Sequence, residues 1–453
     1  MSLSFLDRQS TVAPPGYNRF MVPPAALAVH LAIGQAYAFS TFNLPLTKLL
    51  GVNHSAPGDW KLTEIGWIFS IAIVFLGVSA AVFGRWVENV GPRKAMFAAA
   101  LCFGGGFLVS AFGIHWHQLW VLYLGYGVLG GCGLGIGYIS PVSTLIKWFP
   151  DRPGMATGMA IMGFGGGALI AAPLSVSLMQ HFRTAASNGV LETFVTMGVI
   201  YFMFMMIGVY AVRVPAPDWK PEGWVPPEKP EQLVTKANVE VNVASRTPQF
   251  WLLWMVLCMN VTAGIGVLGQ ASPMIQEIFT GRVTPKAAAG FVGLMSLFNM
   301  AGRFLWASAS DYMGRRNTYM VFFLLGILLY STVPTLGHLG SVSLFVAAFL
   351  IIISMYGGGF ATVPAYLRDV FGTMHVGAIH GRLLTAWSAA GIFGPVLVNY
   401  IRQYQIEHGV PKAQSYSITM YIMCGLLVVG FLCNLAMRPV NERYHYRGPP
   451  SAK

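Results

Sequence analysis

Arg303 offers more chemistry than any other residue in this chain, because of where it stands. Residues 287–310 form an apolar run long enough to cross a bilayer, and Arg303 is its only charge. A guanidinium at membrane depth costs about 2.5–3.5 kcal/mol on insertion scales, so it normally faces a polar cavity or a partner. It keeps its proton, and its planar fork matches a carboxylate through two parallel hydrogen bonds. This points to a membrane cavity that binds a small organic anion. The structural alternative is a guanidinium satisfied by backbone carbonyls or an acidic neighbour. Asn299 stands four residues earlier, on the same helical face, where it could hold the guanidinium or donate to a ligand.

Other polar side chains also fall inside apolar runs. Tyr138, Gln35, Tyr37 and Tyr356 carry donors that could reach an anion, with Asn260 a weaker candidate; each could equally be a packing residue. His30 lies near the middle of the first run. An imidazole, with an ordinary pKa of about 6.5, is a candidate proton carrier, set against the plainer reading of a hydrogen-bonded packing histidine. The five cysteines all lie in apolar runs without metal-ligand or disulfide spacing, and read as small buried residues. Neither a metal nor a cofactor is expected. With no nucleophile triad and no nucleotide motif, the chain does not read as an enzyme, and any transport must draw on an ion or substrate gradient.

These residues need helices to position them, and the composition supplies them. Of the 453 residues, 55% are hydrophobic and 10% charged, with mean hydropathy +0.60. Soluble domains carry roughly 25% charged residues, so the chain reads as an all-α, multi-pass membrane protein. Apolar segments near 20–42, 63–86, 95–114, 119–146, 154–181, 190–212, 250–278, 287–310, 318–337, 341–367, 383–403 and 416–437 predict twelve transmembrane helices.

The net charge of +12 could suggest nucleic acid, but its distribution argues for a membrane. With the N-terminus in the cytoplasm, about 20 of the 28 Lys and Arg residues fall on the cytoplasmic side and about 7 outside, which places both termini inside. Residues 1–18 read as a mobile cytoplasmic tail with no cleavable signal peptide. The proline-dense stretch 214–247 divides the spans into two sets of six. The expected organisation is a tail (1–18), a six-helix bundle (19–213), a cytoplasmic loop (214–247), a second bundle (248–437) and a second tail (438–453).

The halves repeat. Glu88 and Gly91 recur as Asp311 and Gly314, Pro141 as Pro364, and Gly154 and Gly158 as Gly377 and Gly381, each 223 residues on. Six spans per half is an even number, so the repeats run parallel, an arrangement that places the binding site between the halves. Arg303 maps back onto Ala80 and so breaks the symmetry. A charge without a repeat counterpart argues for function over architecture.

One repeated segment carries its own physics. Gly84, Glu88, Gly91 and Arg93 follow the second span, and Asp311, Gly314 and Arg315 follow the eighth. A glycine permits a tight turn, and the acids and cations can latch neighbouring helices at the cytoplasmic face in one conformation. This pattern resembles the cytoplasmic signature of the major facilitator superfamily. A closer resemblance lies in Gly137-Tyr138-Ile-Ser-Pro141, Lys147-Trp148-Phe149-Pro150-Asp151-Arg152-Pro-Gly154, the glycine-rich run Thr157–Gly167, and Gly223-Trp224-Val-Pro226-Pro227. These look like the oxalate/formate antiporter family, a bacterial branch related to monocarboxylate transporters.

The resemblance implies the major facilitator fold, two six-helix pseudo-repeats working by alternating access. It implies that Arg303 binds the substrate carboxylate. Animal monocarboxylate transporters have an aspartate at the place of Asn299, and an amide cannot titrate. The oxalate exchanger resembled here uses a lysine on the eleventh span, where this chain has Trp387. One buried cation matches one carboxylate; a second carboxylate would stay uncompensated in a low-dielectric cavity.

The expected function is therefore secondary transport of a small monocarboxylate of the lactate, pyruvate or formate type. Oxalate/formate exchange is the alternative, and a multidrug exporter or a non-transporting anion sensor is a more distant one. The expected partners are the carboxylate, a proton or counter-anion, and the lipid bilayer, in a monomer that binds no nucleic acid. The expected location is the cytoplasmic (inner) membrane of a bacterium.

Overall fold

A computed structural model describes residues 3–225, 233–235 and 237–446. Pro226, Pro227, Lys229, Lys236 and the end of the C-terminal tail lie outside the described residues. Among the described residues the long helices are α1 Arg19–Leu46, α2 Leu62–Val90, α3 Pro92–His115, α4 Leu119–Trp148, α5 Pro153–His181 and α6 Val190–Ala211. A second set follows: α7 Pro248–Ile278, α8 Pro285–Met313, α9 Arg315–His338, α10 Val342–Phe371, α11 Val376–Glu407 and α12 Lys412–Leu435. All except α8 contain a stretch apolar enough to cross a membrane. α8 is long enough, with 29 residues, but carries Arg303 and many small residues.

Local chemistry sets the helix starts. α7 and α8 open alike: Thr247 caps the Phe250 N–H and Thr284 the Ala287 N–H, each followed by proline at the first helical position. α3 and α9 each follow a glycine with positive φ, Gly91 at 87° and Gly314 at 80°. A side chain would be strained there, and this conformation lets the chain reverse within one residue.

Two helices depart from regular winding. α1 tightens to a 3-10 helix over Gly34–Phe42, and α4 loosens to a π-helix over Tyr123–Gly130. Such departures are frequent at functional sites.

The chain forms two compact units, Met1–Trp148 with Met159–Lys220, and Phe149–Gly158 with Pro221–Lys453. Their internal packing repeats. In the first unit α2 packs on α4, α3 on α6 and α1 on α6; in the second α8 packs on α10, α9 on α12 and α7 on α12. The first turn of α5 counts with the second unit, whereas the sequence reading places all of α5 in the first bundle.

Three expectations are corrected. The described part of the expected mobile tail 1–18, residues 3–18, is tied to the rest of the first unit. Ala13 N–H donates to Val214 O (2.9 Å), Val214 N–H to Thr11 O (2.9 Å), and the Arg19 guanidinium to Trp148 O (3.3 Å). Backbone pairing and buried Thr11 secure the segment where charge and proline alone suggested freedom. Secondly, α11 begins at Val376, so Gly377, Gly381 and Arg382 are helical and not part of a loop. Arg382 is anchored by Val241 O (3.0 Å) and Asn242 Oδ1 (2.6 Å). Thirdly, Gly84 makes no turn. α2 continues to Val90, and Gly84 lies inside it.

Candidate functional site

In the second unit, Arg303 is fully buried, at 0% exposure. α8 carries it one helical turn from Asn299, whose Oδ1 accepts the Arg303 Nε–H at 3.0 Å. The amide thus fixes one edge of the guanidinium. The guanidinium carbon lies 5.3 Å from the centre of the Phe360 ring on α10, a cation–π distance. Phe360 in turn packs on Trp387 of α11 (4.4 Å) and Tyr356 (5.2 Å). Trp387 is fully buried, and Asn260 of α7 is nearly so.

Gly357 makes this arrangement sterically feasible. A Cβ there would stand 2.3 Å from Asn299 O, 2.6 Å from its Oδ1 and 3.1 Å from Arg303 Cγ. Glycine on α10 therefore leaves the space that the Asn299–Arg303 pair fills.

The first unit gathers the other candidates around α1, α4 and α5. The His30 ring nitrogens face two carbonyls, Nδ1 that of Ala160 and Nε2 that of Tyr138 (3.1 Å). The Tyr138 ring lies 5.3 Å from His30 and 5.4 Å from Phe164, and Tyr37 meets the same Phe164 edge-on at 5.1 Å. Gln35 is fully buried, and its Oε1 accepts the Tyr126 hydroxyl at 2.8 Å. Its Nε2 has no hydrogen-bond partner among the described residues. A buried donor left over in this way is costly unless a ligand or water meets it. The tightened part of α1 and the loosened part of α4 meet at this pair.

The repeated charged segments have different partners in the two halves. Asp311 accepts the backbone N–H groups of Gly154 and Met155, both at 2.8 Å, and so caps the start of α5. Arg315 pairs with Asp311 (2.5 Å) and Asp369 (3.2 Å), and Arg368 joins Asp369 (3.1 Å) and Pro150 O (3.1 Å). In the first half, Glu88 pairs with Lys147 at 2.8 Å. Arg93 differs from expectation. Among the described residues its donors go to the carbonyls of Phe5, Ser10, Val209 and Val212 and the Ser10 hydroxyl, not to a carboxylate.

The family model of the Major Facilitator Superfamily matches residues 25–395 and 293–453. The chain belongs to this superfamily. It is 28% identical over 384 residues to the oxalate:formate antiporter of Oxalobacter formigenes, covering 84% of each chain. It is 22% identical over 446 residues to the apicoplast pyruvate carrier 1 of Toxoplasma gondii, covering 86% of this chain and 78% of the carrier. The solved structure of the E. coli fucose:proton symporter FucP superposes with a TM-score of 0.64 at 12% identity, covering 92% and 98% of the two chains, a likeness of fold.

A major facilitator protein is a multi-pass membrane transporter of small molecules and not an enzyme. In this one, α8, α10 and α11 gather Arg303, Asn299, Tyr356 and Trp387, while α1, α4 and α5 gather His30, Tyr37 and Tyr138. Sequence reasoning missed Phe360, Gly357, Asp369 and the pairing of Lys147. The triple glycine Gly357–Gly359 was a readable signal of close helix approach. The choice of Phe360 from 30 phenylalanines carried no signal.

Proposed function

We propose that this major facilitator protein is a secondary active transporter of a small monocarboxylate, working by alternating access, with Arg303 binding the carboxylate. The observation that carries this is a fully buried guanidinium whose Nε edge is held by a neutral amide and whose face rests on an aromatic ring. Asn299 orients the fork without neutralising its charge. A desolvated arginine of this kind binds carboxylate more strongly than it would in water. Tyr356, in the same unit as Arg303, is a proposed polar neighbour; Tyr138, Gln35 and Tyr37 of the first unit are further proposed substrate-binding residues. Trp387, where the resembled exchanger has lysine, supports one carboxylate over two. Asp311, Gly314, Arg315, Glu88 and Gly91 belong to a conformational latch.

The charge bias supports a cytoplasmic membrane with both termini inside, and His30 remains the candidate for proton coupling in a monomer. Oxalate/formate exchange is the second reading, favoured by the 28% identity to the oxalate:formate antiporter. Uptake of labelled lactate, pyruvate, formate and oxalate into proteoliposomes, with and without a proton gradient, decides between them. Saturable uptake of a monocarboxylate with oxalate excluded is the expected result. Oxalate uptake exchanging with formate would establish the second reading, and uptake of none of the four would sink both.

A further inference from the structure

At the end of α1 remote from Arg19, the first unit holds a cavity of about 310 Å³ between the loop after α1 and the end of α5. Two charged residues line it, Lys48 and Arg183, and among the described residues no carboxylate does. The Lys48 ammonium makes no hydrogen bond or ion pair among the described residues. Arg183 donates to the neutral Asn53 side chain. Of the roughly seven cations on the sparsely charged face, two therefore share one concavity.

The walls are fixed. Asn188 donates to Pro45 O (2.8 Å) and Lys48 O (3.1 Å), tying the end of α1 to the loop before α6. Asp59 accepts the Leu50 and Ala56 N–H groups at 2.9 and 2.8 Å and folds the intervening loop. Val52, which lines the cavity, has φ of 59°. A β-branched residue holds that conformation only when its surroundings impose it, and such strain concentrates at functional positions. A concave site with two cations and no acid focuses positive potential and raises the local concentration of anions.

We propose that the Lys48–Arg183 cavity is an outer capture site for the carboxylate substrate, held there briefly before transport. This rests on the carboxylate reading of Arg303. The same oxyanion chemistry could be supplied by a lipid phosphate, but the cavity's neutral hydrogen-bonding wall of Asn53, Gln180 and Asn188 suits a small solvated anion.

The test is initial uptake of labelled formate and lactate by the Lys48→Gln/Arg183→Gln variant in vesicles of phosphatidylcholine alone and with added phosphatidylglycerol, over a range of salt concentrations. At low salt the apparent KM should rise about tenfold with the maximal rate unchanged, in both lipids. The parent's uptake at low substrate should fall as salt rises, and the variant's should not. Lys48→Gln alone should give part of the effect and Lys48→Arg none; the Lys48 ammonium makes no hydrogen bond or ion pair among the described residues, so its truncation removes no polar contact. An unchanged KM and salt dependence, a lower maximal rate with KM unmoved, or an effect confined to phosphatidylglycerol vesicles would each overturn the proposal. Arg303→Lys measured alongside separates the failures. Normal transport by that variant removes the carboxylate reading, whereas a silent double variant removes the capture site alone.

Discussion

Asp311 caps a helix far from it in sequence: its Oδ1 accepts the Gly154 N–H at 2.8 Å. Its other oxygen takes the Met155 N–H, and Arg315 holds the same carboxylate from one turn on. The Asp311 carboxylate therefore serves a helix N-terminus and a guanidinium together. Losing a helix cap costs about 1 kcal/mol, and Arg315 would lose one of its two acids. Asp311 stands eight residues beyond Arg303 on α8, about 12 Å along the axis, too far to touch a ligand there. Asp311→Ala should lower maximal uptake at least about tenfold while equilibrium binding changes by less than about threefold, since the latch acts through the population of competent states. Loss of binding in a folded Asp311→Ala protein would instead place Asp311 in the ligand site.

Arg303→Lys should reduce uptake to near background while the protein still inserts. An ammonium cannot reproduce the bidentate fork, and its point charge would not use the Asn299 amide in the same geometry. Uptake at the parental rate by a well-expressed variant would sink the assignment.

Trp387→Lys should shift preference toward dicarboxylates. The side chain packs on Phe360, the ring that carries the Arg303 guanidinium, so a second cation there would compensate a second carboxylate. Competition between oxalate and lactate is the measurement. An unaltered ratio counts against this geometry.

Gly357→Ala should impair binding with little change in the rest of the second unit. Its Cβ would meet backbone at 2.3 Å, so α10 must move away from α8 and carry Phe360 with it. Ligand affinity should fall about tenfold or more, while the melting temperature drops only a few degrees. Parental affinity in Gly357→Ala would show that the close approach does not shape the site.

Arg93→Ala should release the N-terminal segment. Its guanidinium binds the Phe5 and Ser10 carbonyls and stacks on Phe5 at 4.3 Å. Limited proteolysis should then cut within residues 3–21 much faster than in the parent. Equal cleavage rates would mean that the Val12–Val214 pairing and the remaining contacts hold the segment without Arg93.

The sequence by itself determined that the fold is built of apolar helices with a repeated pattern. Hydropathy, Thr-Pro helix starts and landmarks repeating 223 residues apart are local or periodic signals, and the packing of α2 on α4 and α8 on α10 answers to them. Arg303 was legible for the same reason: a charge inside an apolar run is visible without a fold. What the tertiary structure decided is which side chains meet. Asn299 lies one turn from Arg303 and could be read from spacing, but Phe360 and Gly357 come from another helix, and their approach depends on how α8 and α10 pack. The two halves also show how one motif can acquire different partners. Glu88 and Asp311 occupy matching positions, yet Glu88 takes a lysine and Asp311 a helix end. Arg315 joins acids where Arg93 joins carbonyls of the N-terminal segment. A charged side chain at a helix end can be satisfied by many donors or acceptors, and only the packed neighbours select among them.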